Sequence, residues 1–380
     1  ARGRGSINPA PDGAVATYGA TAISSIVKPN GEVITYSYSG GNLTSVSNNL
    51  GYQLHFQYSG NTLAKVAALN NAVDACGLTA ASCTFPATQP SLTFAHPGLE
   101  YHVTDNLGRT TRVIYDSNDI TTGYIVGVAR PTTASGASIT YTHENLAPHA
   151  YKEVASTSDG TGTWTYAYET YCPPFGNQCP QPDITYDLDT TITDPNGHQT
   201  TYNIQWLQYP YDPVEQINVF YPRLTSVRNH LNQTTLVSES GRGLHGITYP
   251  EGNRVAYGRN EHGNITGVTT TPKAGSGLSA TQVTVTYPDC AVEPILCRRP
   301  SSMTDVSGGV TDYTYDAAGN LLTETGPAPT PGAPRPQTRY VWEQRYAWYK
   351  RNGAAAITQA ASPVWVQVSQ SQCLTGATCE

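Results

Sequence analysis

The sequence predicts an all-β chain, and three observations carry that prediction. Charged residues make up only 13% of 380, with five Lys and one Met. Helices draw on Leu, Ala, Glu, Lys and Met, so a helix-dominated fold is excluded. Tyr outnumbers Phe by 26 to 5, and 50 Thr alternate with apolar residues, which is the period of strands with one buried and one wet face. Finally, 35 Gly and 27 Pro break the chain at short intervals, as turns between strands do.

Size and charge narrow the function classes. A chain of this length can bury a sizeable core without a structural metal. Its net charge is −7 and no basic stripe is present, which argues against a nucleic-acid partner. No apolar run approaches the ~18 residues that cross a bilayer, so no membrane span is expected.

The elements follow in order. Residues 1–24 are rich in Ala, Gly and Ser with a basic start, and read as a flexible or assembly arm. Residues 25–326 carry an internal repeat. A weak copy runs from Lys28-Pro29-Asn30-Gly31 through Thr35-Tyr36 to Gly41-Asn42-Leu43-Thr44. The form T-D-x-x-G appears at Thr104-Asp105 to Gly108, at Thr193-Asp194 to Gly197 and at Thr304-Asp305 to Gly308. Further turn copies are Tyr58-Ser59-Gly60-Asn61 and Gly263-Asn264-Ile265-Thr266. The clearest is Tyr315-Asp316-Ala317-Ala318-Gly319-Asn320-Leu321. D-x-x-G and G-N are turn signals in which Gly or Asn occupies a position needing positive φ. Turn, strand, turn, strand at this spacing describes a long antiparallel meander, and one repeat cannot bury its own face without neighbours. Residues 327–380 begin with a Pro-rich surface crossing. A β-hairpin follows that carries Trp342, Trp348 and Trp365, and a last cysteine loop continues the repeat. The Trp residues read as hairpin packing.

The eight cysteines form four local pairs: Cys76 and Cys83, Cys172 and Cys179, Cys290 and Cys297, Cys373 and Cys379. Each pair encloses a loop of five or six residues, and strands lead into the second and third. A zinc site would need C-x₂₋₄-C spacing with clustered His, and neither is present. The pairs therefore read as disulfides pinning hairpin tips, each contributing ~2–3 kcal/mol, in an oxidising compartment reached by export.

With these motifs in place, the string Tyr315-Asp316-x-x-Gly319-Asn320-Leu321 resembles the Y-D-x-x-G-N-L signature of the Rhs/YD-repeat family, and degenerate copies run from Lys28 to Gly326. The resemblance implies a β-ribbon that curls into a hollow barrel, shell or spiral. In bacterial polymorphic toxins and insecticidal toxin complexes, such shells enclose a C-terminal toxin. In wall-associated and teneurin-like surface proteins they serve as extracellular scaffolds. The core motif that ends a toxin shell has no match here, which turns the expectation toward a scaffold.

Catalytic motifs are absent from the sequence. There is no G-x-S-x-G, no Walker loop and no zincin helix, and nine scattered His read as strand or turn residues. Tyr36, Tyr38, Tyr58, Tyr166 and Tyr168 could stack on sugars, but cross-strand packing explains them without a ligand. No cofactor or metal is expected. Three cysteine pairs are each followed by a T-D-x-x-G copy, whereas none follows the fourth, and the turn at Pro29-Asn30-Gly31 has no pair before it. That phase suggests copies of the chain joining head to tail. The expectation is a non-enzymatic, exported structural protein building an extracellular filament, sheath or surface scaffold. The alternatives are a shell segment around an encapsulated toxin and a glycan-binding adhesin.

Overall fold

The structure, a computed structural model, describes residues 13–19, 22–117, 123–133, 135–145, 152–171, 186–208, 220–240 and 243–377. Among these residues it contains 28 strands, a single 3-10 turn at Arg351–Gly353, and no α-helix. The chain is all-β, as the composition predicts. It divides into two compact units, one built from Ala1–His96, His102–Thr110 and Thr284–Glu380, the other from Pro97–Tyr101 and Thr111–Val283.

In the first unit, Val15–Tyr18, Ile23–Val27, Val33–Ser39, Asn42–Asn48, Tyr52–Ser59, Thr62–Asn70 and Ser91–Ala95 form an antiparallel meander, each pairing with the next. A second run joins Ser302–Thr304, Val310–Tyr315, Leu321–Thr325, Pro336–Arg345 and Val364–Leu374 in the same manner. Between the last two strands sits a small hairpin, Trp348–Tyr349 with Thr358–Gln359. The second unit is likewise a meander, from Ile125–Ala129 through Gln199–Gln208 to Ile265–Thr271. No described ladder within either unit returns from its last strand to its first, so none closes a barrel.

One turn recurs and explains the repeat. In residues 105–109, Gly108 N–H donates to Asp105 O at 3.0 Å and Asp105 N–H to Arg109 O at 3.1 Å. The Asp105 carboxylate also accepts the N–H groups of Leu107 and Arg109, each at 2.9 Å. This is a hairpin turn closed by a glycine in the left-handed region, with an Asx side chain caging the backbone. The same bonds form at Asp194 with His198, at Asp305 with Gly309, and at Asp316 with Asn320. Asn260 with Asn264 completes the set, and Asn229 forms it with Asn232 in the glycine's place at φ 59°. T-D-x-x-G and Y-D-x-x-G-N are therefore one structure. Asn264 and Asn320 are its closing residues, while the positive φ belongs to Gly263 and Gly319.

Among the described residues few apolar side chains are buried, Leu69 and Val364 being the largest. Alternation is clean where Thr and Tyr interleave: in Thr163–Tyr171, Trp164, Tyr166 and Tyr168 are half-buried while Thr163, Thr165 and Ala167 are exposed. The Tyr168 hydroxyl donates to Val154 O at 2.9 Å, and the Tyr58 hydroxyl to Leu43 O at 3.0 Å. These hydroxyls are engaged by the neighbouring strand, as cross-strand packing requires. Of the three hairpin Trp, Trp342 and Trp365 are half-buried and Trp348 is exposed, and Trp342 Nε1 donates to Leu321 O at 2.8 Å.

Candidate functional site

The turn residues singled out by sequence stay at the hairpin tips and are not gathered into a site. The region with the most unusual chemistry lies instead on one face of the first unit's early strands. Along Tyr52–Ser59 the expected pattern is reversed: Tyr52 and Leu54 are 58% and 42% exposed, whereas Gln53 and His55 are 2% and 0% exposed. Cross-strand register places Ser45, His55 and Ala67 in one row, and Ser47, Gln53 and Leu69 in the next.

Two segments cover this polar face. The loop after Thr62–Asn70 carries Cys76 and Cys83, whose sulfurs lie 1.93 Å apart with Cα atoms at 6.0 Å, the separation of a disulfide. It is held by Thr44 Oγ1 donating to Leu78 O at 2.7 Å and Gln57 Nε2 donating to Cys83 O at 3.0 Å. The second cover is residues 349–365. Lys350 N–H donates to Asn71 O at 2.9 Å, Leu78 N–H to Asn352 Oδ1 at 2.9 Å, and Trp365 N–H to Asn30 O at 2.8 Å.

Asn49 is the joint between these parts. Its Oδ1 accepts from Val33 N–H at 2.9 Å, and its Nδ2 donates to Gly31 O at 2.9 Å and Ser362 Oγ at 3.1 Å. Asn71 Nδ2 donates to Gln53 Oε1 at 2.9 Å. Glycines permit the contact. Gly31 sits at φ +84° with a Cβ position only 2.7 Å from Pro363 O, and a Cβ on Gly353 would lie 2.8 Å from Gly77 N. A cavity of about 260 Å³ remains between the strands and the cover, lined by Gln53, Asn71, Tyr349 and Ser362 among others.

Several buried polar atoms on this face lack a hydrogen-bond partner: Ser45 Oγ, Gln53 Nε2 and both ring nitrogens of His55. Burial holds the His55 imidazole below the usual histidine range, so it is neutral. Sequence reasoning reached the cysteines and Gly31 but not Asn49, Gln53, His55, Asn71 or Asn352, which carry the joint. The available signals were the doublets Asn48-Asn49 and Asn70-Asn71 and a strand whose inward positions are polar.

The remaining cysteines divide in two. Cys290 and Cys297 lie at disulfide separation, with sulfurs 2.23 Å apart and Cα atoms at 4.7 Å. Cys172, Cys179 and Cys379 fall outside the described residues, so the pairs Cys172 with Cys179 and Cys373 with Cys379 do too. Tyr315 stands next to the 290–297 loop, its hydroxyl donating to Pro300 O at 2.9 Å and its ring facing Arg299 at 5.9 Å.

A β meander built from one repeated Asx-Gly turn is a repeat protein. The RHS Repeat family matches residues 299–330, the stretch that holds Asp305, Gly308, Tyr315, Asp316, Gly319 and Asn320, so the chain contains an RHS repeat. No curated protein matches the sequence. Among solved structures, the chain is similar to TcdB2-TccC3 without its hypervariable C-terminal region, at 11% identity and a TM-score of 0.40, over 88% of this chain and 17% of that one. It is also similar to the Photorhabdus luminescens Tc holotoxin pore, at 14% identity and a TM-score of 0.40, over 93% of this chain and 21% of that one. The chain spans about a fifth of the length of those structures.

Proposed function

We propose that the chain is a segment of an Rhs-type β-shell, non-enzymatic and exported, contributing wall to an enclosure around a toxin or other cargo polypeptide. The RHS repeat at residues 299–330, set within meanders that reuse its turn, is the observation that carries this reading. The two cysteine pairs at disulfide separation are compatible with an oxidising compartment.

The head-to-tail filament expected from the motif phase is the weaker reading. It needs the turn at Pro29-Asn30-Gly31 to receive the end of another copy. That turn instead meets its own chain, with Trp365 N–H on Asn30 O and Pro363 O packed against Gly31. Light scattering and negative-stain microscopy of the non-reduced chain decide between the two. A shell segment stays a discrete particle of one chain at micromolar concentration. Fibres with a regular axial repeat would overturn the shell reading and restore the filament.

A further inference from the structure

The buried imidazole of His55 has no explanation in the turn-and-strand logic of the fold. Both ring nitrogens lie out of reach of solvent and of every hydrogen-bonding partner, an arrangement that costs free energy unless something else occupies the nitrogen lone pair. What lies beside it is the Cys76–Cys83 disulfide. A ligand nitrogen of His55 and the sulfurs of Cys76 and Cys83 are all within 4.8 Å of one another, the single such cluster among the described residues. Cys76 is 1% exposed, and Ser45 Oγ, buried and unpartnered, sits across the ladder from His55.

We propose that His55, Cys76 and Cys83 form a redox-gated site for a soft divalent metal of the Zn²⁺ class, closed while the disulfide is intact and opened when it is reduced. With a phosphine as reductant, the S–S bond breaks, phosphorus takes an oxygen from water to become phosphine oxide, and the two sulfurs leave as thiols. Metal binding then releases both thiol protons to buffer and forms two metal–sulfur bonds and one metal–nitrogen bond. Two thiolates cancel the charge of a divalent ion, so the occupied site is neutral, which suits its burial. Zinc takes sulfur at about 2.3 Å and imidazole nitrogen at about 2.0 Å, which sets ligand atoms ~3.3–3.8 Å apart in a tetrahedron. The nitrogen needs little movement, whereas the sulfurs must separate, and the six-residue loop between them supplies the slack. A solvent molecule fills the fourth position. Among the described residues, Cys290 and Cys297 have no imidazole clustered with both sulfurs, and they provide an internal contrast.

The experiment uses the full chain with Cys172, Cys179, Cys290, Cys297, Cys373 and Cys379 each changed to Ser, so that only the proposed pair remains. The chain is reduced with a phosphine, freed of reductant without oxygen, and titrated with Co²⁺. The expected result is one Co²⁺ per chain, with the near-ultraviolet sulfur-to-cobalt band and the intense visible bands of tetrahedral geometry, all displaced by Zn²⁺. The oxidised chain shows neither band. His55→Ala, and His55→Gln in case the smaller residue perturbs folding, bind at least tenfold more weakly and shift the visible bands, while the circular dichroism of each oxidised variant matches its parent. The proposal is overturned if the reduced chain gives no sulfur-to-cobalt band, if either His55 variant binds as tightly as its parent with unchanged bands, or if a Cys76→Ser/Cys83→Ser chain binds equally well.

Discussion

At the scale of single residues, two glycines with the same backbone separate turn strain from docking. Gly31 and Gly108 both lie in the left-handed region, at φ +84° and +78°. Around Gly108 a Cβ meets nothing within 4 Å, whereas at Gly31 it meets Pro363 O at 2.7 Å. Gly108→Ala carries only the conformational cost, ~1 kcal/mol. Gly31→Ala adds displacement of residues 362–364 and is expected to cost ~2 kcal/mol more in denaturant titration. Equal losses would mean that the cover is not seated on Gly31. The turn carboxylates make a pH-dependent prediction. In Asp194 the backbone N–H of His198 is the largest influence, and with the His198 ring it holds the carboxyl below its ordinary 3.8. Asp105 is lowered in the same way by Arg109. A depressed carboxyl stabilises the folded turn above pH 3.8, and that contribution is lost as pH falls through the folded value. Asn keeps the Oδ1 acceptor, as Asn229 and Asn260 do in sister turns. Asp105→Asn/Asp194→Asn should therefore lose the charge-dependent part of that stability near neutral pH, converge with the parent in acid, and so flatten the fall as pH drops below 3.8, followed as thermal midpoint against pH. A parallel fall in parent and variant would count against the Asx cage.

At the scale of elements, one side chain ties the end of the Pro-rich crossing before Pro336–Arg345 to the strands beside it. Arg335 donates from Nε to Gly326 O at 2.7 Å and from a terminal nitrogen to Thr325 O at 2.9 Å. The guanidinium also reaches Val310 O and the Asp312 carboxylate, so it ties three successive strands together. Arg335→Met strands those acceptors and is expected to cost about 2 kcal/mol, discounted because the site is partly wet. Arg345→Met is the comparison: its pair with Glu343 has side chains 61% and 51% exposed, and its loss should fall within ~0.5 kcal/mol. Elements of this kind show what local sequence can specify. The turns were legible because Asp, Gly and Asn at fixed offsets satisfy one another within five residues, and the strands because Thr and Tyr alternate with apolar neighbours. Arg335 and the reversed strand Tyr52–Ser59 were not legible. Their partners lie on other strands, and a buried Gln53 beside an exposed Leu54 runs against the rule by which periodicity assigns an inner face.

At the scale of the whole chain, the first unit is stitched from its two ends, and this is where sequence reading had least to work with. The Asn49–Ser362 bond spans 313 residues, and no local pattern can announce it. Contacts so distant in sequence form only after most of the chain is placed, so they report on the cooperativity of the finished unit more than on its early folding. Asn49 tests that cooperativity. One side chain satisfies Val33 N–H, Gly31 O and Ser362 Oγ, so Asn49→Ala leaves a half-buried donor and two acceptors unmet, a loss of ~2 kcal/mol. If the two ends open as one unit, hydrogen exchange should accelerate together in residues 31–49 and in residues 349–365, while residues 186–208 of the second unit keep their rates. Acceleration confined to residues 31–49 would mean that the late segment is held by Lys350, Asn352 and Trp365 without Asn49. The chain would then be a meander with an independently docked end. Joint acceleration means that residues 349–365 are an integral part of the first unit, locked to its early strands through the single side chain of Asn49.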